Sequence, residues 1–175
     1  SVTLSLGAND LFALVEDPTF LFAPREVQRA RVQGVVDAFA VNAGAALAGL
    51  RAGLDAAGQH GAEIVLLNYY NPLNAFLQND NPDDDVFAGL GDLAVLPLNE
   101  AIADLAAEHG ARLADVYSAF LGREAAFTHV LSAEDVHPTD AGYAAIAGVV
   151  IPAPGAGVLL AAGGLVAFRR RRAGR

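Results

Sequence analysis

The chain has 175 residues, which is enough for one domain with a real core, and 54% of them are hydrophobic, many of these Ala. A formal net charge of -9 and a pI near 4.7 argue against nucleic acid as a partner. The absence of Cys excludes a disulfide framework, thiolate chemistry and Cys-based metal sites.

Val2 to Leu6 is a short apolar run stopped by Gly7, which suits a buried strand. Residues 11–24 read as irregular, with Pro18 and Pro24 as breakers. From Arg25 to about Ala57 the pattern is helical. Val32, Val36, Phe39, Ala43, Leu47, Leu50 and Leu54 recur every three or four positions and form one stripe. Glu63 to Asn68 reads as a second buried strand, followed by a long loop over 69–92. A further helix is expected from Leu96 to His109, ended by Gly110. Arg112 to Tyr117 reads as a third strand. His137-Pro138 is expected to open a last helix, with Pro in its first turn. Strands alternating with helices predict a parallel sheet in an α/β fold. Three strands are few for a sheet covered on both faces, and the first begins at the chain start, so further strands are expected before Ser1.

Two stretches carry chemistry. Gly7-Ala8-Asn9-Asp10 follows a parallel strand, where open α/β sheets place ligands. The Asn amide can donate a hydrogen bond into a cleft, although Asn, Asp and Gly are also ordinary turn residues. In Glu134-Asp135-Val136-His137-Pro138 an acidic residue shortly precedes His. A carboxylate there can orient the ring through one nitrogen while the other faces a substrate.

Together these stretches resemble the SGNH, or GDSL-type, hydrolases. That family has a Gly-x-Asn-Asp block, matched by residues 7–10, and an Asp-x-x-His-Pro block, matched in part by residues 134–138. The continuation HPTDAGYAAIA, the strand EIVLLNYYNP and the turn HGARLADVYSAF are also similar, so the resemblance covers residues 1–148. It implies a three-layer α/β/α sandwich of flavodoxin-like topology and a serine ester hydrolase acting on acyl esters of lipids or acylated carbohydrates. It implies no metal or organic cofactor. Asn9, with Gly7, falls in the oxyanion hole, and His137 is the general base. For the acid, Glu134 is favoured by position, three residues before the His, over Asp135, which has the usual chemical identity. The family's nucleophilic Ser and a second oxyanion-hole Gly are expected in blocks upstream of Ser1. Ser5, Ser118 and Ser132 lack the Gly-Asp-Ser context, so the 175-residue chain alone is expected to be inactive. The alternative is a non-catalytic envelope or matrix protein that binds carbohydrate on the same fold.

The acidic stretch 79–85 places oxygen side chains at 79, 81 and 83, as a Ca²⁺ loop begins. The Gly required at its sixth position is Asp84 and the Glu required at its twelfth is Leu90, so it reads as a solvated loop. Residues 141–168 carry no charge, and residues 149–168 run directly into Arg169 to Arg172. Twenty uncharged residues can cross a bilayer core of about 30 Å. The basic cluster should stay cytoplasmic, which places the remaining domain outside. The segment 149–175, with Pro152-Ala153-Pro154, a span and an Arg cluster, resembles a PEP-CTERM-type sorting signal. That resemblance implies export in a Gram-negative-type bacterium, transient membrane anchoring, and a processing protease as partner.

Overall fold

The computed structural model describes residues 1–15, 17–79, 81, 85–133 and 135–151. The elements run β1 (Val2–Leu4), α1 (Ala8–Val15), α2 (Pro18–Leu21), α3 (Arg25–Ala56) and β2 (Ile64–Leu67). A 3₁₀ segment (Pro72–Gln78), α4 (Asp85–Glu108), β3 (Arg112–Ala114), α5 (Val116–Phe120) and α6 (Glu124–Phe127) follow. The last are β4 (Thr128–His129), α7 (Val130–Ala133), β5 (Asp135–Pro138) and α8 (Asp140–Val150). The expected sorting signal lies outside the described residues apart from 149–151, as does most of the acidic stretch 79–85.

The strands β1, β2 and β3 form one parallel sheet in that order, with Leu4 beside Leu66 and Leu66 beside Leu113. Side chains alternate across a strand, and this decides what each face meets. Ile64 and Leu66 enter a core built with α1, α3 and α4. Val65 is buried on the opposite face. On that face Arg112, beside Val65 in register, donates to the carbonyls of Val149 and Val150 at 3.1 and 2.6 Å. The guanidinium thus holds the C-terminal end of α8, whose last carbonyls have no intrahelical partner.

The stripe on α3 is seated as its spacing predicts. Val32, Val36, Phe39, Ala43 and Leu47 are buried, and Leu50 and Leu54 pack at the margin. Each large aliphatic side chain buried in this way stabilises by about 1.5–3 kcal/mol. Among the described residues α3 is the one helix long and apolar enough to cross a membrane. One face of it packs into the core. The buried polar Gln28 of α3 is satisfied, because its amide donates to the carbonyls of Phe20 and Leu21 at the end of α2.

The structure corrects four boundaries. Residues 11–24 are not irregular. They complete α1 and contain α2, because Leu11 and Leu14 supply a buried helical pair that the two prolines obscured. Helix α4 begins at Asp85 rather than Leu96 and carries Pro97 inside it, so the loop after β2 is shorter than expected. β3 ends at Ala114, and α5 begins at Val116 within the stretch read as strand. His137-Pro138 does not open a helix. Both residues lie in β5, an antiparallel partner of β4, and α8 starts at Asp140 behind Thr139. The Thr139 hydroxyl accepts from the Gly142 N–H at 3.2 Å, which makes Thr139 the N-cap and Pro138 an outside residue.

Candidate active site

The C-terminal ends of β1 and β2 open onto a cavity of about 430 Å³. Its wall is largely apolar, with Leu11, Leu67, Leu73 and Leu98 among the lining side chains. Asn9 and His137 line the same cavity, although 128 positions separate them in sequence.

Gly7 makes the exit from β1 possible. Its φ is +111°, a region that residues with a Cβ rarely adopt, and a Cβ there would meet Leu98 and Phe39 at 2.9 Å. The chain then turns straight into α1, so Asn9 stands in the first helical turn and not in a loop turn. Its exposed side chain lies where the free N–H groups of a helix start also collect, and both favour a negative charge.

His137 sits on the hairpin strand β5. Asp135 Oδ1 accepts the His137 backbone N–H at 3.0 Å and lies 2.5 Å from His137 Nδ1. With a carboxylate at Nδ1, that nitrogen carries the proton and Nε2 is left as the acceptor. The His137 backbone N–H, then its ring, hold the Asp135 carboxyl below the usual range. The imidazole is 74% exposed, so few side-chain contacts fix it. Glu134, the other candidate acid, lies outside the described residues.

The ends of β2 and β3 are fixed by amides. Asn68 is buried, donates to Asp115 Oδ1 and accepts the Tyr117 N–H, both at 2.9 Å. Burial pushes the Asp115 carboxyl up, but hydrogen bonds from Ser118 and Asn68 outweigh it and leave it below its ordinary value. Asn99 on α4 clamps the Tyr69 backbone, accepting its N–H at 2.8 Å and donating to its carbonyl at 2.7 Å. The Tyr70 hydroxyl donates to the Val136 carbonyl at 2.7 Å, next to His137. Ser5 lines the cavity too, and its hydroxyl donates to the Tyr69 hydroxyl at 3.0 Å. No role for Tyr69, Tyr70 or Asn99 is expected from the sequence motifs alone. The run Asn-Tyr-Tyr-Asn directly after a buried apolar strand was the available signal. Among the described residues no group of three or more His, Asp or Glu side chains is placed to hold a metal.

An imidazole able to take a proton and an amide able to donate to an oxyanion, lining one cavity, suit attack on an ester carbonyl. The class so indicated is an acyl hydrolase on a parallel α/β scaffold. Sequence comparison agrees: the model of the GDSL-like lipase/acylhydrolase family matches residues 1–145, and the chain belongs to that family. Among solved structures it is similar to phospholipase A1 from Streptomyces albidoflavus, with a TM-score of 0.55 and 23% identity over 82% of this chain. The match covers 64% of the phospholipase chain, and at that identity the likeness concerns the fold. No curated protein matches the chain in sequence.

Proposed function

We propose that this chain is the part of a serine ester hydrolase that supplies the general base and one oxyanion donor. The observation that carries the reading is the meeting of Asn9 and His137 on one apolar cavity, with Asp135 on the far ring nitrogen. A serine hydroxyl from the segment before Ser1 attacks the acyl carbonyl, and His137 Nε2 takes its proton. The Asn9 amide holds the developing oxyanion, and the carboxylate at Nδ1 stabilises the imidazolium that forms. The contact at 2.5 Å supports Asp135 in that role, with Glu134 as its competitor. Ser5 is not the nucleophile in this reading, since its hydroxyl is bonded to Tyr69 rather than to an imidazole.

A fluorophosphonate probe and p-nitrophenyl esters test the assignment. The protein extended upstream should hydrolyse the esters and be labelled on a Ser before Ser1, whereas the 175-residue chain should do neither. In the active protein His137→Ala should abolish turnover. Asn9→Ala should lower it by about 10²–10³. Labelling of Ser5 with robust hydrolysis by the 175-residue chain would refute the placement of the nucleophile.

Export and anchoring are proposed from sequence alone, on the apolar segment 149–168 and the cluster Arg169 to Arg172. The expected outcome is membrane association that is lost on truncation after Gly148.

A further inference from the structure

We propose that Tyr70 is the positioning residue of His137, an inference that rests on the reading of His137 as the general base. Because the His137 ring is mostly exposed, its placement is inherited from the backbone of β5. One edge of β5 pairs with β4, but the pairing is short and shifts register between Thr128 and His129. On the Val136 carbonyl the Tyr70 hydroxyl supplies the hydrogen bond, across 66 positions of sequence.

That hydroxyl is rigidly mounted. The Tyr70 ring stacks on Phe120 with centroids 4.1 Å apart and planes 13° from parallel. Phe120 is fully buried and meets Phe127 edge-on at 5.3 Å. Both chain neighbours of Tyr70 are pinned as well. Asn99 clamps the Tyr69 backbone, and the buried Asn71 amide accepts the Leu73 N–H at 3.0 Å and donates to the Ala88 carbonyl at 3.1 Å. A stiff path therefore runs from α4 through Tyr70 to the peptide before His137. Burial, with Tyr143 and Asp135 nearby, raises the Tyr70 hydroxyl above its ordinary value, so it stays a donor. The other titratable groups at this corner are Asp135 on the same strand as His137, His129 on β4 and Tyr143 on α8. A small misplacement of a catalytic group is costly because proton transfer requires aligned, closely spaced partners.

The test has two arms. In the 175-residue chain, the carbon-bound ring protons of His137 give non-exchanging NMR signals, assigned by their loss in His137→Ala, with cross-peaks to the Asp135 side chain. Tyr70→Phe keeps the ring stack and removes only the hydroxyl, and it should broaden those signals and weaken their cross-peaks. In the active protein the same variant should lower kcat by about tenfold while KM moves less than about threefold. Val36→Ala, a core change on the other face of the sheet, should alter neither readout. The proposal is overturned if Tyr70→Phe leaves signal and kcat unchanged, or if Val36→Ala moves them equally. Should Tyr70→Phe fail to fold, Phe120→Leu removes the stack, keeps the hydroxyl and is judged by the same criteria. Full turnover in His137→Ala would sink the reading of His137 as base, while the NMR arm would still decide whether Tyr70 holds the ring.

Discussion

Gly142 is where the hairpin that carries His137 is pressed against the helix that follows it. The residue is buried in the first turn of α8. A Cβ built there would lie 2.2 Å from the Phe127 carbonyl oxygen, 2.9 Å from Pro138 Cβ and 3.2 Å from Phe120. Ordinary contact begins near 3.4 Å, so α8 or the 127–128 peptide must retreat by about 1.2 Å. The obstacle is backbone and cannot swing aside. The same carbonyl accepts the Thr139 N–H at 2.8 Å, so retreat breaks the bond that joins the two segments. Opposing effects fix the sign. Gly→Ala inside a helix gains about 1 kcal/mol of propensity. Stranding a buried carbonyl costs about 1–3 kcal/mol, and overpacking costs about as much again. The net for Gly142→Ala is a loss of about 1–5 kcal/mol, or a melting temperature lower by about 2–20 °C. Gly148→Ala is the control: it lies on the same helix with nothing within 4 Å of its Cβ position, and should gain up to about 1 kcal/mol. Circular dichroism melts of the two variants against the parent decide the matter. A Gly142→Ala chain as stable as the parent would refute the close approach of α8 to Phe127.

Other outcomes follow from the same geometry. The hydrogen bond from Arg31, at 2.6 Å, and those from Thr19 lower the Asp17 carboxyl from 3.8 to about 2. Its folded value lies below its unfolded one, so its contribution is complete above pH 4 and is lost as pH falls through about 2. Urea midpoints between pH 5 and pH 2 should therefore fall less steeply for Asp17→Asn than for the parent. Asn68→Ala removes the acceptor of the Tyr117 N–H and a donor to Asp115, and should cost about 2–3 kcal/mol in urea unfolding. In the active protein, Asp135→Asn should cut turnover by orders of magnitude if Asp135 orients His137, because an amide cannot stabilise the imidazolium. A large loss in Glu134→Gln with near-normal Asp135→Asn would assign the role to Glu134 instead.

The sequence by itself determined what local periodicity can carry. The stripe from Val32 to Leu54 specified both α3 and its buried face, since apolar residues three and four apart must share one side of a helix. Short β-branched and Leu-rich runs specified β1, β2 and β3, and their alternation with helices specified a parallel sheet, while β4 and β5 carried no such run. The Gly-Ala-Asn-Asp and His-Pro stretches were legible because particular residue types are needed at fixed spacing. Tertiary structure decided whatever depends on partners far along the chain. Asn9 took helical geometry once Leu11 and Leu14 had a core to enter, and His137 moved from a helix start to a hairpin because β4 offered it a pairing edge. The two motifs already implied that Asn9 and His137 share a site, but the presence of Tyr70 on the same cavity had no local signal. It follows from strand order and from hydrogen bonds such as Tyr70 to Val136, whose partners meet only after the sheet has formed.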